Sequence, residues 1–150
     1  MIYLATDHRG FALKEKIKAW LAEWDYDFKD MGAFEYDADD DYPDFIRKAA
    51  EAVANDPEHS RGIILGASGQ GEAMVANRYK GVRAVVYEGG PDEIITLSRQ
   101  HNNANVLSLG VLFVDEETAK KSIKLWLETP FEGEERHVRR IKKIDEQVTS

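Results

Sequence analysis

Residues 62–77, near the centre of the chain, read GIILGASGQGEAMVAN, which is the pattern of a strand, a loop of small residues and a helix in direct succession. Gly62–Leu65 is an apolar run of strand length, and the spacing of apolar residues from Ala73 to Asn77 is typical of a helix. A short strand that passes through glycines into a helix is the βα unit of proteins with a parallel sheet.

The same alternation of strands and helices extends in both directions from this unit. Four further strands are predicted, at Ile2–Thr6, Tyr26–Asp30, Arg83–Val86 and Asn105–Leu109. Helical faces are predicted at Leu13 to Trp24, Phe45 to Val53, Glu93 to His101 and Ala119 to Leu127, and a last amphipathic segment holds Val138, Ile141 and Ile144. We therefore predict an α/β protein, a three-layer α/β/α sandwich with a five-stranded parallel sheet. The extra C-terminal helix is expected to pack outside these layers or on a partner subunit.

The composition narrows the class of protein. The 150 residues hold 20 lysines and arginines against 28 aspartates and glutamates, a net charge of −8, and no cysteine. The acidic balance argues against nucleic acid and membranes as partners, and the lack of cysteine excludes disulfides, thiolate metal sites and a cysteine nucleophile. Because the sequence shows no repeat, no long linker, no signal-like N-terminus and no transmembrane run, we expect a single cytoplasmic domain over residues 1–150.

The loop inside the central βα unit is the first candidate site, because ligands of parallel sheets bind at the carboxyl ends of the strands. Gly66–Gly71 offers backbone N–H groups at the start of a helix, which suits an anion or a developing oxyanion. The loop lacks the lysine of a P-loop and does not fit G-x-G-x-x-G. Glu72, in the first helical turn, is a candidate base. The structural alternative is a tight turn followed by a surface glutamate that complements the helix dipole.

Two other segments carry side chains that can transfer protons. Asp7-His8-Arg9-Gly10 follows the first strand, and either contributes to a site or contains only a helix-capping aspartate and two solvated side chains. His101 lies before the last strand, where it can act as a general acid or base near neutral pH. Asn103 and Asn105, close by, are interpreted as residues that end a helix.

The acidic run at residues 35–41 matches only the first half of a calcium loop. Aspartates stand at 37, 39 and 41, the first three ligand positions of an EF-hand. Tyr42 and Lys48 then occupy the positions that need glycine and glutamate. We therefore predict a solvated loop and no metal.

Near the C-terminus, Arg136 and Arg140 are four residues apart and share one helical face. Two guanidinium groups in this arrangement can hold a phosphate through forked hydrogen bonds. The alternative is a cationic helix balanced by the glutamates at 132, 134 and 135.

Taken together, these segments resemble the type B ribose-5-phosphate isomerases and the related galactose-6-phosphate isomerase subunits. The matching stretches span most of the chain in the family's order, and they are Asp7–Phe11, Asp41–Pro43, Gly66–Asn77, Gly81–Ala84, Leu97–Asn102, and Arg136, His137 and Arg140. The resemblance implies a Rossmann-like domain that forms homodimers, sometimes paired into tetramers, with each active site built from two subunits. It also implies aldose–ketose isomerisation of a sugar phosphate without metal or cofactor.

The resemblance also implies roles for individual residues. Glu72 would be the catalytic base, His101 would open the furanose ring, and Ser68 would help to move a proton between the two oxygens of a cis-enediolate. The residues that would bind the substrate are Asp7, His8, Tyr42, Ala67, Ser68, Gly69, Gln70, Gly71, Asn102, Arg136 and Arg140.

Two positions distinguish this chain within the family pattern. Many members use a cysteine base at the position of Gly66, whereas a second branch, which this chain resembles, places a glutamate directly after the glycine loop. Leu112 stands where the family commonly has a further phosphate-binding arginine, for which Arg9, Arg99 or Arg139 are candidate replacements. One lost charge-assisted hydrogen bond is worth about 1.5–3 kcal/mol, or roughly one to two orders of magnitude in affinity.

The sequence leaves three functional hypotheses. The first is interconversion of D-ribose 5-phosphate and D-ribulose 5-phosphate through the enediolate. The second keeps this chemistry on another aldose, phosphorylated or free, because Leu112 replaces an arginine. The third is a non-catalytic module that binds a phosphorylated metabolite on the same fold.

Overall fold

Five strands form one sheet in the computed structural model, which describes residues 1–146. In chain order they are β1 (Ile2–Thr6), β2 (Phe28–Asp30), β3 (Arg61–Gly66), β4 (Ala84–Tyr87) and β5 (Val106–Gly110). Their order across the sheet is β2-β1-β3-β5-β4, and each neighbouring pair is parallel. The predicted five-stranded parallel sheet is confirmed.

The start of β2 differs from the prediction. The sequence predicts this strand from Tyr26, but it begins at Phe28. Asp25 has a φ of 63°, and Tyr26 N donates to Leu21 O at 2.9 Å, so these residues form the turn that ends the preceding helix. The other strand ends lie within one residue of their predicted positions.

The predicted helices are confirmed as well, and a short 3-10 turn at His8–Gly10 precedes the first of them. They are α1 (Phe11–Glu23), α2 (Tyr42–Asn55), α3 (Gln70–Ala76), α4 (Glu93–Gln100), α5 (Glu116–Glu128) and α6 (Glu135–Asp145). α3 begins before the predicted Ala73 because Gly69 takes a φ of 79° and Ser68 Oγ accepts a hydrogen bond from Gln70 N at 3.2 Å. Glu72 therefore lies in the first turn of α3, as predicted.

The helices cover both faces of the sheet and give the three predicted layers. Ile63 and Leu65 of β3 pack with α1, α4 and α5, whereas Ile64 packs with α2 and α3. Side chains alternate along a strand, so a sheet covered on both faces needs apolar residues at successive positions. This packing holds the central strands in place and fixes the loops at their carboxyl ends.

α6 lies outside these layers, as predicted. Of its side chains that the structure describes, His137 alone is buried, and Val138 and Ile144 are about half exposed. Asp145 Oδ1 accepts a hydrogen bond from Gly81 N at 3.2 Å, which ties the end of α6 to the turn before β4. Within residues 1–146, no helix is long and apolar enough to cross a membrane.

A buried lysine fixes the segment that follows β2. Lys14 Nζ is fully buried and donates to Asp30 Oδ1 and to Ala33 O, both at 2.6 Å. Burial alone would raise the pKa of Asp30, but hydrogen bonds from Lys14 and Gly32 N hold that pKa below its ordinary value. The loop that leads from Ala33 to α2 therefore starts from an anchored point.

Candidate active site

Most of the predicted site residues meet where β1 and β3 end. We call them the carboxyl-edge group, and they are Asp7, His8, Tyr42, Ala67, Ser68, Gly69, Gln70, Gly71 and Glu72. β1 and β3 are neighbours in register, with Thr6 opposite Leu65, so the segments that follow the two strands lie side by side. Tyr42, the first residue of α2, places its hydroxyl 2.5 Å from where a Cβ on Gly71 would lie. The fold therefore brings these predicted residues together.

Glu72 is buried, with 4% of its surface exposed, although its helix begins only two residues earlier. Its carboxylate fills the space that a side chain at Gly66 would occupy, because a Cβ built on Gly66 would lie 1.4 Å from Glu72 Oε1. A glutamate here and a side chain at 66 thus exclude each other. The alternative of a surface glutamate that complements the helix dipole is wrong, because this carboxylate points inward against β3.

The electrostatics of the carboxyl-edge group favour proton transfer. Burial raises the pKa of Glu72 above its ordinary value, and the nearby negative charge of Asp7 raises it further. Burial also raises the pKa of Asp7, whose side chain accepts a hydrogen bond from Arg9 N at 2.9 Å. A carboxylate whose pKa is raised is a stronger base than an exposed one, which is what abstraction of a carbon-bound proton requires.

The loop at Gly66–Gly71, which we call the glycine loop, is held in position by contacts with β5. Ser108 Oγ of β5 donates to Gly69 O at 2.6 Å, and a Cβ on Gly110 would lie 2.4 Å from Ser68 O. These contacts leave no room for a side chain at Gly110. Gln70 Nε2, on the exposed side, donates to Glu88 Oε1 at 2.7 Å. The loop is thus held in place by β5, and a preorganised backbone of this kind suits an oxyanion site.

The segment after β1 contains a contact that the sequence did not reveal. His8 Nδ1 donates to Asp40 Oδ1 at 2.6 Å, and His8 N donates to the same oxygen at 3.1 Å. Residues 34–39 are exposed, as predicted for a solvated loop, but the Asp40 side chain is only 7% exposed. The solvated-loop prediction is therefore wrong at Asp40, which fixes the His8 tautomer with its proton on Nδ1. Asp7 does cap the turn at His8–Gly10, as the structural alternative held, but it is also buried in the group.

The remaining predicted site residues lie elsewhere. We call His101, Asn102, Arg136 and Arg140 the amino-edge group. His101 follows the last residue of α4, and its ring stacks on that of His137 in α6 at 4.3 Å between centroids. Asn102 is exposed and lines a cavity of about 300 Å³ with Arg83 and Ile144.

The two arginines are exposed on α6, and Arg136 pairs with Glu134 at 2.5 Å. The charge balance by glutamates is thus present at Arg136. Asn103 takes a φ of 46°, as predicted for a residue that ends a helix. Asn105 instead holds the turn before β4, because its side chain accepts from Arg83 N and donates to Gly81 O and Pro57 O.

The two groups lie at opposite edges of the sheet within one chain. Glu72 follows the end of β3, whereas His101 and Asn102 precede Val106, where β5 begins. All strands are parallel, and β5 has five residues, so the edges are separated by about 16 Å at roughly 3.3 Å per residue. A single chain does not bring Glu72 and His101 onto one small substrate.

Leu112 belongs to the carboxyl edge. Leu112 N donates to Ala67 O at 3.1 Å, and its side chain is 60% exposed beside the glycine loop. Arg99 is not a replacement for the missing arginine, because its buried guanidinium donates to Thr129 O and Ala104 O, and burial lowers its pKa to about 10. An arginine at 112 would project from the glycine loop, where Leu112 now presents an apolar surface.

Two clusters hold side chains of metal-ligating type within 4.8 Å of one another, in the part of the chain that the structure describes: Asp7 with His8 and Asp40, and His101 with Glu132 and His137. In the first cluster, the His8–Asp40 hydrogen bond accounts for the short distance. In the second, the two rings are stacked with an angle of 18° between their planes. A metal ion must lie in the plane of each ring that binds it, and nearly parallel stacked rings do not allow this.

Comparison with known proteins shows which family this chain matches. The model of the family described as Ribose/Galactose Isomerase matches residues 2–144. Ribose-5-phosphate isomerase B of Mycolicibacterium paratuberculosis is 41% identical over 140 residues, which cover 93% of this chain and 86% of that protein.

Solved structures give the same result. Ribose-5-phosphate isomerase B from Mycoplasma genitalium, with bound ribulose-5-phosphate, has a TM-score of 0.92 and 39% identity over 97% of this chain and 93% of that one. A ribose 5-phosphate isomerase from Thermotoga maritima has a TM-score of 0.88 and 38% identity over 97% of both chains. This chain therefore belongs to the ribose/galactose isomerase family, which includes the type B ribose-5-phosphate isomerases.

Proposed function

We propose that this protein is a metal-independent aldose–ketose isomerase that interconverts D-ribose 5-phosphate and D-ribulose 5-phosphate, with Glu72 as the base. The observation that carries the proposal is the buried Glu72 carboxylate, which fills the side-chain space of Gly66 beside the pinned glycine loop. The relatives named above are ribose-5-phosphate isomerases, and one of their structures contains ribulose-5-phosphate, which supports this substrate pair.

The reaction begins with opening of the furanose ring. The C1–O4 bond breaks, its electron pair passes to O4, and O4 takes a proton from His101. The proton of the C1 hydroxyl returns to the imidazole, so His101 ends in its starting state and C1 becomes an aldehyde. Asn102 holds a sugar hydroxyl during this step, and Asp7, His8 and Tyr42 hold the remainder of the sugar.

Isomerisation of the open chain then takes place at the carboxyl edge. Glu72 takes the proton from C2 and returns it to C1, while a proton passes from O2 to O1 with help from Ser68. Backbone N–H groups of residues 67–71 stabilise the negative charge of the cis-enediolate between these steps. One positioned base contributes about 10²–10⁴-fold, and one oxyanion donor roughly 10²–10³-fold.

A working site in this scheme needs two copies of the chain. The distance of about 16 Å between the edges supports a homodimer in which the amino-edge group of one subunit faces the carboxyl-edge group of the other. Arg136 and Arg140 then bind the phosphate of a substrate held by the partner's Glu72. Pairing of two dimers into a tetramer is compatible with this arrangement.

We further propose that residues 1–150 form one isomerase domain. The family model spans residues 2–144, and the single sheet uses strands from Ile2 to Gly110, which supports this extent. Residues 147–150 lie outside the described part of the chain. A cytoplasmic location stays a prediction from the sequence.

The deciding experiment follows ketose formation by purified protein, after treatment with a chelator, from D-ribose 5-phosphate, free D-ribose and a set of 6-phosphate aldoses. We expect turnover selective for the pentose phosphate, and a loss of about 10²-fold or more in Glu72→Gln with nearly unchanged ligand affinity. Activity that depends on added metal, or full activity in Glu72→Gln, would contradict the proposal.

Leu112 favours one alternative, the same chemistry on another aldose, because its apolar side chain stands where a phosphate ligand is common in the family. Turnover restricted to another sugar in the same assay would select that alternative. A protein that binds sugar phosphate with no turnover on any substrate would be the non-catalytic module. That module requires neither the buried Glu72 nor an imidazole for ring opening, so the site geometry disfavours it.

A further inference from the structure

His101, the residue proposed for ring opening, contacts a second histidine in the amino-edge region. The imidazoles of His101 and His137 stack at 4.3 Å between centroids, with an angle of 18° between the ring planes. His101 lies just past the end of α4. Its backbone N–H still donates to Leu97 O, but no helical turn follows it. A flat contact of this kind restricts rotation of the His101 ring out of its plane.

His137 is itself firmly held. It is the buried residue of α6, with 4% exposure, and its backbone N–H donates to Glu134 O at 2.9 Å. The chain just before α6 is tied to the end of α4, because Glu132 N donates to Gln100 O at 3.3 Å. The stack therefore joins two elements that are already connected next to His101.

The charge state of His137 suits a supporting role. Its pKa is lowered by burial and by the charges of Arg136 and His101, while Glu134 and Glu132 act in the opposite direction. Two imidazolium rings in face contact would repel each other. The lowered pKa of His137 reduces this repulsion within the stack.

We infer that His137 is a positioning residue for ring opening: it holds the His101 imidazole in the orientation that protonates the ring oxygen of the substrate. The inference rests on the proposed function for its catalytic consequence, and on the stacked geometry for its structural content. The inference predicts that ring opening depends on a flat aromatic ring at residue 137 and does not depend on the ring nitrogens of His137.

Three variants separate these properties. His137→Phe keeps a flat ring and removes both nitrogens, His137→Ala removes the ring, and Val138→Ala truncates an exposed neighbour on α6 that does not take part in the stack. Each is assayed on D-ribose 5-phosphate and on 4-deoxy-D-ribose 5-phosphate. The second sugar has no O4 hydroxyl and its O5 is esterified, so it is always an open chain and needs no ring opening.

With D-ribose 5-phosphate, we expect His137→Ala to lose roughly 10- to 100-fold in kcat with little change in KM, and His137→Phe to regain most of that loss. With the open-chain sugar, the loss in His137→Ala should be at least about tenfold smaller. An equal loss on both sugars would show a general structural role and overturn the inference. A loss in His137→Phe as large as in His137→Ala would also overturn it.

A readout without turnover separates failure of this inference from failure of the proposed function. NMR relaxation at the His101 ring carbons should show faster ring motion in His137→Ala than in the wild type, His137→Phe or Val138→Ala. Equal ring order in all four proteins would contradict the inference, whatever the enzyme's substrate. If His137→Ala unfolds, the comparison of His137→Phe with the wild type on both sugars still decides whether the nitrogens are needed.

Discussion

The two edges of the sheet differ in how completely one chain builds them. At the carboxyl edge, the Glu72 carboxylate is buried, the glycine loop is pinned by Ser108 and Gly110, and His8 is held by Asp40. At the amino edge, His101 is half-buried, while Asn102 and the two arginines are exposed. The buried carboxylate that we propose as the base lies inside one chain, whereas the groups proposed for ring opening and phosphate binding lie on a surface.

This difference fits the roles that we propose for the two groups. A carboxylate gains basicity when it loses solvent, and the packed interior of one chain already removes most solvent from Glu72. Guanidinium groups and a ring-opening imidazole act through hydrogen bonds that remain effective when the site is closed by a second surface. In the proposed dimer, division of one site between two subunits therefore leaves the desolvated carboxylate in the core of one chain.

The largest effect that tests this division comes from mixed subunits. Glu72→Gln and His101→Ala, each inactive alone, are mixed under conditions in which mass spectrometry shows subunit exchange. If sites are shared, each mixed dimer contains one fully wild-type site, and random assortment restores about a quarter of wild-type activity. Activity that stays at the level of the separate variants despite exchange would place Glu72 and His101 in the same subunit's site.

A smaller effect tests how the carboxyl edge is built. In Gly66→Ala, the new Cβ would meet Glu72 Oε1 at 1.4 Å, so the carboxylate must move. A displaced base of this kind costs about 10²-fold in turnover. The assay is kcat/KM on the preferred sugar, with Gly62→Ala in the same strand as a control, because its Cβ would meet only valine side chains at 3.2 Å or more.

The double variant Gly66→Ala with Glu72→Gln makes this test specific. If Gly66 acts only by leaving room for the base, the double variant should be no less active than Glu72→Gln alone. Additive losses would mean that Gly66→Ala disturbs the site by another route.

A still smaller effect is expected where the phosphate of the substrate would bind, and here the substitution should improve binding. Leu112→Arg adds a cation at the glycine loop and should strengthen binding of a sugar phosphate by roughly one to two orders of magnitude, with little change for the free sugar. Phe113→Arg is a matched control, because Phe113 is as exposed as Leu112 and the substitution adds the same charge one position away. Isothermal titration calorimetry measures the affinity of both variants for the sugar phosphate. Equal gains in affinity would mean that the added charge acts only by long-range attraction and not by a specific contact at residue 112.

The sequence predicted the fold well because the fold depends on local patterns. Apolar runs such as Ile2–Thr6 and Val106–Gly110 are buried on both faces of the sheet. A short run of mostly apolar residues predicts such a strand without any knowledge of distant contacts. The start of β2 was missed because the αL residue Asp25 is not a glycine, so the turn carries no composition signal.

The site was predictable in its residues but not in its contacts. Glu72 could be named as a base, but its burial depends on the missing side chain at Gly66, which only the packing of α3 against β3 reveals. Asp40 and His137 were missed as supporting residues, because one lies in an acidic run that looks solvated and the other between two arginine candidates. The pair Asp40 and His8 is 32 residues apart, beyond the reach of any spacing argument.

The smallest predicted effect concerns stability, and it follows from the buried charge at the carboxyl edge. The pKa of Glu72 is higher in the folded protein than in the unfolded chain, so the folded protein binds more protons between the two pKa values. The free energy of unfolding therefore falls as pH rises through that interval, and above it the folded state carries the full cost of the charge. Glu72→Gln should therefore gain stability relative to the wild type as pH rises above the ordinary pKa of glutamate, about 4.3.

Asp115→Asn is the matched control with the opposite sign. Asp115 caps α5 and accepts a hydrogen bond from Thr118 N at 2.7 Å, which lowers its pKa. Its contribution to stability is fully present above the ordinary pKa of aspartate, about 3.9, and is lost as pH falls through the lowered pKa of the folded protein. Asp115→Asn should therefore lose stability relative to the wild type as pH rises toward about 3.9, and the difference should stay constant above it. Urea unfolding of the three proteins from about pH 3 to neutral pH covers both ranges and measures both slopes. If the two variants change in the same direction, Glu72 is not a buried charge, and the contrast between the two edges does not hold.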